Sequence, residues 1–385
     1  MELRIILLVL FYLQIIQGQD YYDNDYFDNQ DKITTPAPTL SKAELKKCDA
    51  KCVFHATLIT SKNIGSFPKC AKVCAVLLID GSSDLTEKQL TVAFKNMKNL
   101  IGALKITNTN YTSAGFLGGL RKIEAATLGV EILKNNKMLQ LGWKNLTTIA
   151  ANHFYVNDNA KMQKLNLPKW TTLKCTAKKW CWSSVYPTIN CLAANELKTF
   201  VINNIKNVRK TDVRGTVCPL KTPTKKQCSK PTVGCQELVG DLVIGPKFDT
   251  KTVESLKILY GSLIINNSSL TDFKCFGNLT YIIQPDETRI VIDVQNNKHL
   301  TTVRMPKLKR IFSIAMPRII FQNNTDELLT DYQSCRKYLT AMGEDEDSHG
   351  SVYQFGDNYS CKQMEKFALK WTTKKATTKK STTKK

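Results

Sequence analysis

The chain has 385 residues, enough for two ordinary domains, and 42% of them are apolar, so each domain can bury a sizeable core. Its formal net charge is +22, and seven of the positive charges are lysines from Lys370 onward. For a secreted protein, this charge favours anionic glycans and cell surfaces as binding partners over nucleic acid. Surface lysines whose only role is to keep a glycoprotein soluble explain the charge equally well.

The N-terminus has the pattern of a secretory signal over residues 1–18. An apolar run from Ile5 to Ile16, broken only by Gln14, is followed by the small Gly18. A membrane anchor is the competing interpretation, but this run is too short to span a bilayer. Residues 19–47 then alternate Asp with Tyr and Phe before a Thr/Pro-rich stretch. They predict a disordered acidic leader, with tyrosine sulfation as the alternative, in a secreted, extracellular protein with no membrane span.

Cysteines and glycosylation sequons agree with secretion. The chain has 13 cysteines, which an oxidising compartment converts to disulfides by default, and the odd number leaves one thiol free or paired with another chain. Cys-x3-Cys spacings begin at Cys48 and Cys70, but behind a signal peptide disulfides are favoured over zinc. The glycosylation candidates are Asn110, Asn145, Asn266, Asn267, Asn278, Asn323 and Asn358.

An internal repeat lies between the two ends of the chain. Five apolar or glycine positions recur at a constant offset, namely Gly102/Gly261, Leu104/Leu263, Ile106/Ile265, Leu120/Leu279 and Ile123/Ile282. Further downstream the first copy contains about 21 more residues than the second, which is about the length of one repeat of a solenoid. The phrase Asn-Asn-Lys-x-Leu also occurs once in each copy, at 135–139 and 296–300.

Short apolar-x-apolar segments recur within each copy at steps typical of a solenoid. They start near 104, 130 and 154 in the first copy and near 242, 263, 290 and 319 in the second. Each predicts a short strand whose alternate side chains face inward. An Asn or Asn-Asn often closes the strand, and Asn tolerates the left-handed conformation that turns the corner of a coil. A period of about 20–29 residues with leucines and a corner Asn is typical of leucine-rich-repeat-like coils.

These motifs resemble the receptor L domain family, found in pairs in the ectodomains of insulin and EGF receptors. The resemblance rests on Cys235 before "LVGDLVI", on "FGNLTYI" at 276–282, and in the first copy on "LGGLRKI" and "LGWKNLTTI". It implies a mainly β chain of two tandem right-handed β-helix or leucine-rich-repeat-like solenoid domains, with short helices and disulfides. The Cys-rich module that separates L domains in the receptors is reduced here, and no transmembrane helix or kinase follows.

The resemblance also implies a disulfide scheme. The family closes its first strand with a loop between two cysteines, of about the spacing that separates Cys52 from Cys70 and Cys218 from Cys235. We therefore expect both of these bonds, and we expect Cys335–Cys361 near the C-terminus. Cys275 aligns with the apolar Phe116, so it is our candidate for the unpaired thiol, buried and inert.

The sequence predicts neither an enzyme nor a cofactor or metal site. Its histidines are His55, His153, His299 and His349, and no metalloprotease, nucleophile-elbow or phosphate-loop motif occurs. Isolated acids beside the strands, such as Glu131 and Asp293, are ordinary sheet-surface residues.

Alternation along the strands predicts the side chains that point outward and could contact a partner. They are Lys105, Thr107, Glu131, Tyr155 and Asn157 in the first copy, and Ile264, Val291, Asp293, Ile320 and Gln322 in the second. Ile264, Val291 and Ile320 would form an apolar ladder, a common mark of a partner site. The alternative is that a loop or the other domain covers them.

The sequence thus predicts a secreted glycoprotein that binds an extracellular polypeptide ligand or receptor, growth-factor-like or insulin-like, and acts as a soluble decoy in one version of this hypothesis. The alternative is a structural matrix or surface protein that binds acidic glycans through its basic tail. The predicted organisation is a first receptor L domain at 48–205, a Cys-containing linker at 206–234, a second L domain at 235–345, a C-terminal extension at 346–369 and a Lys/Thr low-complexity tail at 370–385.

Overall fold

A computed structural model describes residues 39–176, 181–183, 191–202, 211–346, 352–356 and 358–382. The predicted signal peptide and His349 lie outside the described residues. The strands of the first copy are β1 Lys72–Ile79, β2 Asn99–Thr107, β3 Lys122–Ala125, β4 Val130–Leu133, β5 Thr148–Ala151, β6 Phe154–Asn157, β7 Thr172–Cys175, β8 Trp182–Ser183, β9 Cys191–Leu192, β10 Thr211–Asp212 and β11 Thr216–Val217.

The strands of the second copy are β12 Gln227–Cys228, β13 Glu237–Val239, β14 Leu242–Ile244, β15 Ile258–Tyr260, β16 Leu263–Asn266, β17 Tyr281–Gln284, β18 Ile292–Gln295, β19 Arg310–Ser313, β20 Ile319–Gln322 and β21 Tyr353–Phe355. The α-helices are α1 Lys42–Leu45, α2 Glu87–Phe94, α3 Ala194–Val201, α4 Tyr332–Met342 and α5 Cys361–Thr382. Short 3₁₀ helices span Ala50–Cys52, Ile64–Ser66, Gly115–Leu117, Thr250–Thr252, Lys274–Phe276 and Asp326–Thr330.

The strands stack as coils of two parallel β-solenoids, which confirms the predicted fold class. In each copy one sheet, here called the first sheet, contains β3, β5 and β7 or β12, β13, β15, β17 and β19. The other, called the second sheet, contains β4, β6, β8 and β10 or β14, β16, β18, β20 and β21. The long strands β1 and β2 run through both sheets of the first copy, because β2 pairs with β3 at its start and with β4 at its end. Counted this way, the second sheet has six described strands in the first copy and five in the second, as the additional coil in the sequence predicts.

A glycine makes the bend where the chain passes from the first sheet to the second. Gly102 has φ +131°, and a Cβ there would lie 2.1 Å from the carbonyl oxygen of Ala75. Its equivalent, Gly261, has φ +150°, and its Cβ would lie 2.5 Å from the carbonyl oxygen of Gly240. Neither position can accept a side chain, so the repeated glycine follows from backbone packing between successive coils.

The interior of each solenoid is a stack of inward-pointing aliphatic and aromatic side chains. In the first copy Leu104 and Ile106 are in register with Val130 and Ile132 on the next coil, and all four are at most 1% exposed. In the second copy Leu263 and Ile265 continue through β18 and β20 in the same way. Burial of these columns supplies the main hydrophobic stabilisation, because each fully buried side chain of this size contributes about 1.5–3 kcal/mol.

Asparagines form a buried ladder at the corner that follows the second sheet. In the first copy Asn135 Oδ1 accepts hydrogen bonds from the backbone N–H of Thr109 at 3.0 Å and from its hydroxyl at 2.7 Å. Asn135 Nδ2 donates to the carbonyls of Ile106 and Leu133, and the Asn135 N–H donates to Asn159 Oδ1. Each coil therefore satisfies the unpaired backbone groups of its neighbour at a place where no strand can do so.

The second copy repeats this ladder with Ser268, Asn297 and Asn324. Ser268 donates to Asn297 Oδ1 through its N–H at 2.9 Å, and the Asn297 N–H donates to Asn324 Oδ1 at 3.0 Å. The residue before each ladder position is left-handed, with φ between +51° and +60°; these are Asn108, Lys134, Asp158, Asn267, Asn296 and Asn323. The corner role predicted for Asn is thus shared by two residues, one that turns the chain and one that hydrogen-bonds inward.

The first sheet of the second copy is covered by the first copy. Its outward residues Val239, Tyr260 and Ile283 are at most 6% exposed and belong to the same buried cluster as the core of the first copy. At this junction Lys198 forms an ion pair with Glu237 at 2.8 Å, and the Gly215 N–H donates to the carbonyl of Pro285 at 3.2 Å. The second sheet of the second copy has no such cover over Val243, which is 60% exposed.

Six disulfides use twelve of the thirteen cysteines. The structure contains Cys52–Cys70 and Cys335–Cys361, as expected from the sequence. It also contains Cys48–Cys74, Cys175–Cys181, Cys191–Cys218 and Cys228–Cys235.

The expected bond between Cys218 and Cys235 is wrong. Pairing of β9 with β11 brings Cys218 beside Cys191, and a short loop brings Cys228 to Cys235, seven positions later in the sequence. Cys275 is the free cysteine, as predicted, but it is half-buried and not fully buried. Burial still raises the pKa of its thiol to about 11, which keeps it protonated and unreactive near neutral pH.

A helix forms part of the predicted C-terminal extension and continues into the low-complexity tail. Helix α5 continues to Thr382, with Cys361 and Met364 buried against the second copy. Arg336 of α4 joins the two helices through its ion pair with Glu365 of α5, and it forms a second ion pair with Glu346. Among the described residues no helix has the length and apolarity to cross a membrane, and no cluster of side chains is suited to a metal ion.

The buried ladder predicts a large, position-specific effect of one substitution. Asn135→Ala leaves the Thr109 N–H and two backbone carbonyls without their partner, so we expect it to lower the free energy of unfolding by about 3 kcal/mol or more. The neighbouring Asn136 is exposed, so Asn136→Ala should change it by less than about 0.5 kcal/mol. Denaturant unfolding under oxidising conditions measures both, and equal effects would contradict a structural ladder.

Candidate functional site

The outer side of the second sheet in the first copy carries most of the residues predicted to face outward there. Lys105, Glu131 and Tyr155 occupy one row, because their strands pair in register. Lys105 Nζ lies 3.1 Å from Glu131 Oε2. Thr107 and Asn157 lie in the next row on either side of Leu133, but Asn157 is only 3% exposed. Asn157 therefore does not belong to the open part of this face.

His153 joins this row although it precedes strand β6. Its Nε2 lies 2.9 Å from Glu131 Oε1, and its ring stacks on Tyr155 with 4.2 Å between the ring centroids. The ring lies over Gly129, where a Cβ would be 2.6 Å from the imidazole and φ is +93°. A side chain at position 129 would displace the histidine, so glycine there fixes the position of the imidazole.

Two partners hold the Glu131 carboxylate in its ionised form. Burial alone raises the pKa of this group, but the hydrogen bond with His153 and the charge of Lys105 outweigh burial, so the pKa lies below its usual value. The result is a partly buried carboxylate between two basic side chains, beside an aromatic ring. Such a row can contact a partner through hydrogen bonds and through the faces of the His153 and Tyr155 rings.

The outer side of the second sheet in the second copy is more apolar. Val243, Ile264, Asp293, Ile320 and Gln354 form one row in register across five strands. Val243 is 60% exposed, and the other four are half-buried. An aliphatic row with one carboxylate at its centre thus faces away from the solenoid core.

Val291 does not belong to this row, which corrects the predicted ladder. It is fully buried in the core of the second copy, and its N–H donates to the carbonyl of Arg318. Strand β18 begins one residue later at Ile292, which points inward, so Asp293 is the outward residue. The prediction was wrong because Val291 precedes the strand. Alternation correctly places Asp293 outward, but it does not extend to the residue before β18, where the chain bends.

Amide side chains and sequons border the apolar row. Asn266, Gln295 and Gln322 form the adjacent outward row, and Gln295 Nε2 donates to Asp293 Oδ1 at 2.7 Å. Asn266 also begins a sequon, and it is exposed. A glycan there would stand at the edge of the apolar row, so it would limit the direction from which a partner approaches.

Comparison with known proteins identifies the repeat. The receptor L domain family matches the chain twice, at residues 69–174 and 234–340. The chain belongs to the receptor L domain family. No curated protein matches the chain.

Each receptor L domain of the pair thus presents the outer side of its second sheet, but with different chemistry. The first presents charge and aromatic rings, and the second presents aliphatic side chains. Sequence reasoning missed Val243, His153 and Leu133. Val243 lies in the segment LVIG, whose alternation already predicts that its central residue points outward, whereas nothing in the sequence indicates that His153 lies against Glu131.

The lowered pKa of Glu131 predicts a pH-dependent contribution to stability. Ionised Glu131 stabilises the fold above its ordinary pKa of 4.5, and this contribution is lost as the pH falls through the lower folded pKa. We expect Glu131→Gln to lower the free energy of unfolding by about 1–2 kcal/mol at pH 6, and we expect this difference to shrink by pH 3.

Denaturant unfolding at a series of pH values measures the effect. Lys105→Met removes only one of the two partners, so it should reduce the pH-dependent part without abolishing it. A Glu131→Gln difference that keeps the same size from pH 6 to pH 3 would show that the ion pairs do not stabilise the folded state.

Proposed function

We propose that this chain is a secreted glycoprotein that binds an extracellular polypeptide, growth-factor-like or insulin-like, or a receptor for one. The receptor L domain is a ligand-binding module of receptors and not an enzyme family. Six disulfides fit an oxidising compartment. We extend the proposal to a decoy role, in which the chain competes with a signalling receptor for the same polypeptide.

The observation that carries the proposal is the aliphatic row on the second L domain. Val243, Ile264 and Ile320 lie on the outer side of a sheet whose other side is a packed core. Exposed aliphatic side chains in a row are typical of partner sites. Asp293 lies between Ile264 and Ile320 in register, so a polypeptide with a basic side chain flanked by apolar ones would fit best.

The first L domain supplies a second, polar contact region in this proposal. Lys105, Glu131 and Tyr155 are already oriented by their mutual contacts and by His153. Side chains fixed before binding lose little rotamer freedom on association, which favours specificity. Thr107 and Gln322 remain candidate contact residues by their outward position alone, whereas Asn157 is too deeply buried to contact a partner.

We also propose that the sequons are glycosylated and that the domain boundaries are 48–205 and 235–345. Six of the seven sequon asparagines are exposed, namely Asn110, Asn145, Asn266, Asn267, Asn323 and Asn358, and Asn278 is half-buried. Asn278 and Asn145 occupy equivalent corners, since Lys307 and Lys169 donate to their respective Oδ1 atoms.

Introduction of a positive charge into the aliphatic row tests the binding proposal. We expect Ile264→Lys and Ile320→Lys each to weaken capture of an insulin-like or EGF-like peptide by about 10- to 100-fold, because each buries an ammonium group where an aliphatic side chain packed. Surface plasmon resonance of the full secreted chain against a panel of such purified peptides measures the effect.

Two valines with the same exposure give a matched comparison. Val243 lies in the row and Val92 lies on helix α2, and each is 60% exposed. Val243→Lys should weaken binding, and Val92→Lys should not. If none of the peptides binds, or if Ile264→Lys and Ile320→Lys leave folding and capture unchanged, the assignment of this face is wrong.

A structural role in matrix or at a cell surface is the second candidate function. The C-terminal segment carries seven lysines from Lys370 onward and no acidic residue in that stretch. A cationic segment of this kind attracts anionic polysaccharides in a salt-dependent way. Heparin binding that disappears when residues 370–385 are deleted would favour this alternative over capture of a polypeptide.

A further inference from the structure

A corner of the first L domain carries a line of basic side chains. We call Lys95, Lys98, Arg121, Lys144 and Lys169 the basic corner. This corner comes just before the strands of the first sheet. In it, the Arg121 N–H donates to the Lys98 carbonyl at 2.7 Å, and the Thr147 N–H donates to the Arg121 carbonyl at 2.8 Å. These hydrogen bonds connect successive coils, so Lys98 and Arg121 lie about 4.8 Å apart along the solenoid axis. Lys144 and Lys169 lie on the next two coils, two or three residues before the equivalent position.

Side-chain contacts show that the basic corner is continuous. Lys98 Nζ donates to the Lys95 carbonyl at 3.3 Å, and it lies 3.5 Å from the place where Gly119 would carry a Cβ. On the next coils Asn145 Nδ2 donates to the carbonyl of Gly118 at 3.0 Å, and Lys169 Nζ donates to Asn145 Oδ1 at 3.1 Å. These contacts connect Lys95, Lys98 and Lys169 through Gly118, Gly119 and Asn145, and Arg121 and Lys144 belong to the corner by their position in the chain.

Within the described part of the chain, the charges of the basic corner have no acidic partner. Of the described residues, no carboxylate lies within 4.0 Å of any of these five side chains. Their neighbour Lys122 differs, because it is paired with Glu124 at 2.7 Å. Lys95, Arg121, Lys144 and Lys169 are exposed, and Lys98 is half-buried. Such a line of like charges is repulsive in isolation and is relieved by an anionic partner.

We propose that the basic corner is a binding site for a sulfated polysaccharide that lies along the solenoid axis. A linear polyanion matches a line of cations, and Thr147, Thr148, Thr171 and Thr172 continue the same corner with hydroxyl groups that suit a sugar chain. A membrane is the less suitable partner. Proteins bind a membrane surface through an amphipathic helix or through apolar side chains inserted beside the cations, and this corner carries threonines where such apolar side chains would be needed.

The site deepens the second candidate function, because it assigns the acidic glycan to the folded first domain instead of residues 370–385. It does not depend on capture of a polypeptide by the second sheets. Failure of one proposal therefore leaves the other intact, since the two are measured with different ligands.

Removal of three charges from the corner tests the inference with heparin as the probe. Lys95, Lys98 and Arg121 are chosen because they precede the coil of Asn145, so the result does not depend on a glycan at that sequon. We expect the full chain with Lys95→Gln, Lys98→Gln and Arg121→Gln to bind immobilised heparin about tenfold more weakly at roughly 0.15 M salt. The salt dependence of binding should also decrease, because fewer ion contacts form.

A variant with the same loss of charge elsewhere is the control. Lys221, Lys225 and Lys230 are exposed residues of the linker between the domains, and their replacement by Gln should weaken heparin binding by less than about threefold. Lys95→Arg with Lys98→Arg keeps the charge and should keep the affinity. Deletion of residues 370–385 should leave the difference between the corner variant and its control unchanged.

Three results would overturn the inference. Equal weakening by the corner and linker variants would show that only net charge matters. Complete loss of heparin binding on deletion of residues 370–385 would place the site in the C-terminal segment. Weaker binding of the corner variant to vesicles that contain phosphatidylserine, with unchanged binding to heparin, would identify a membrane surface as the partner.

Discussion

The need to satisfy buried backbone groups at each corner is the constraint on which the rest of this structure depends. A solenoid coil leaves its sheet at a tight turn, and the amides and carbonyls there have no strand partner. Asn135 and Asn297, both fully buried, meet that need by hydrogen-bonding the coil on either side. An aliphatic residue of similar size would leave these groups unpaired at a cost of about 1–3 kcal/mol each.

Once the corners are fixed, the direction of every strand side chain is fixed too. The inward columns of Leu, Ile and Val fill the axis, and the outward rows of the second sheets become available for other contacts. The two L domains use their surfaces differently. The first sheet of the second domain is buried against the first domain, so the contact face of that domain is restricted to its second sheet. The basic corner lies before the first sheet of the first domain, on another side of the coil from its second sheet. One chain can therefore present an aliphatic row, a charged aromatic row and a polycationic line without overlap.

Much of this organisation is predictable from the sequence because it is periodic. The inward positions Leu104, Ile106, Leu263 and Ile265 follow from alternation within strands, and the corner role of Asn follows from its tolerance of the left-handed region. The repeated sequence Asn-Asn-Lys predicts the position of the corners less well. In the first copy the ladder residue is the first Asn of the pair, Asn135, and in the second it is the second Asn, Asn297. Alignment of the two Asn-Asn-Lys sequences therefore places the corners one residue out of step. Alternation also fails at Val291, which lies just before strand β18 and is buried.

Contacts between residues distant in sequence were not predictable in the same way. The contact of His153 with Glu131 depends on the absence of a side chain at Gly129, one coil earlier. The Cys218 bond depends on which strand pairs with β11, and several cysteines lie at similar distances along the chain. The charge count indicated an anionic partner, but only the coil-to-coil hydrogen bonds show that five of the cations share one corner.

Hydrogen–deuterium exchange of the full secreted chain tests the central claim most directly. Thr109, Asn135, Ser268 and Asn297 lie outside the strands, so their amides would ordinarily exchange quickly. If asparagine side chains hold the corners, these four amides exchange as slowly as those of the neighbouring strands β4 and β18. Fast exchange at all four, with protected strands, would contradict the account.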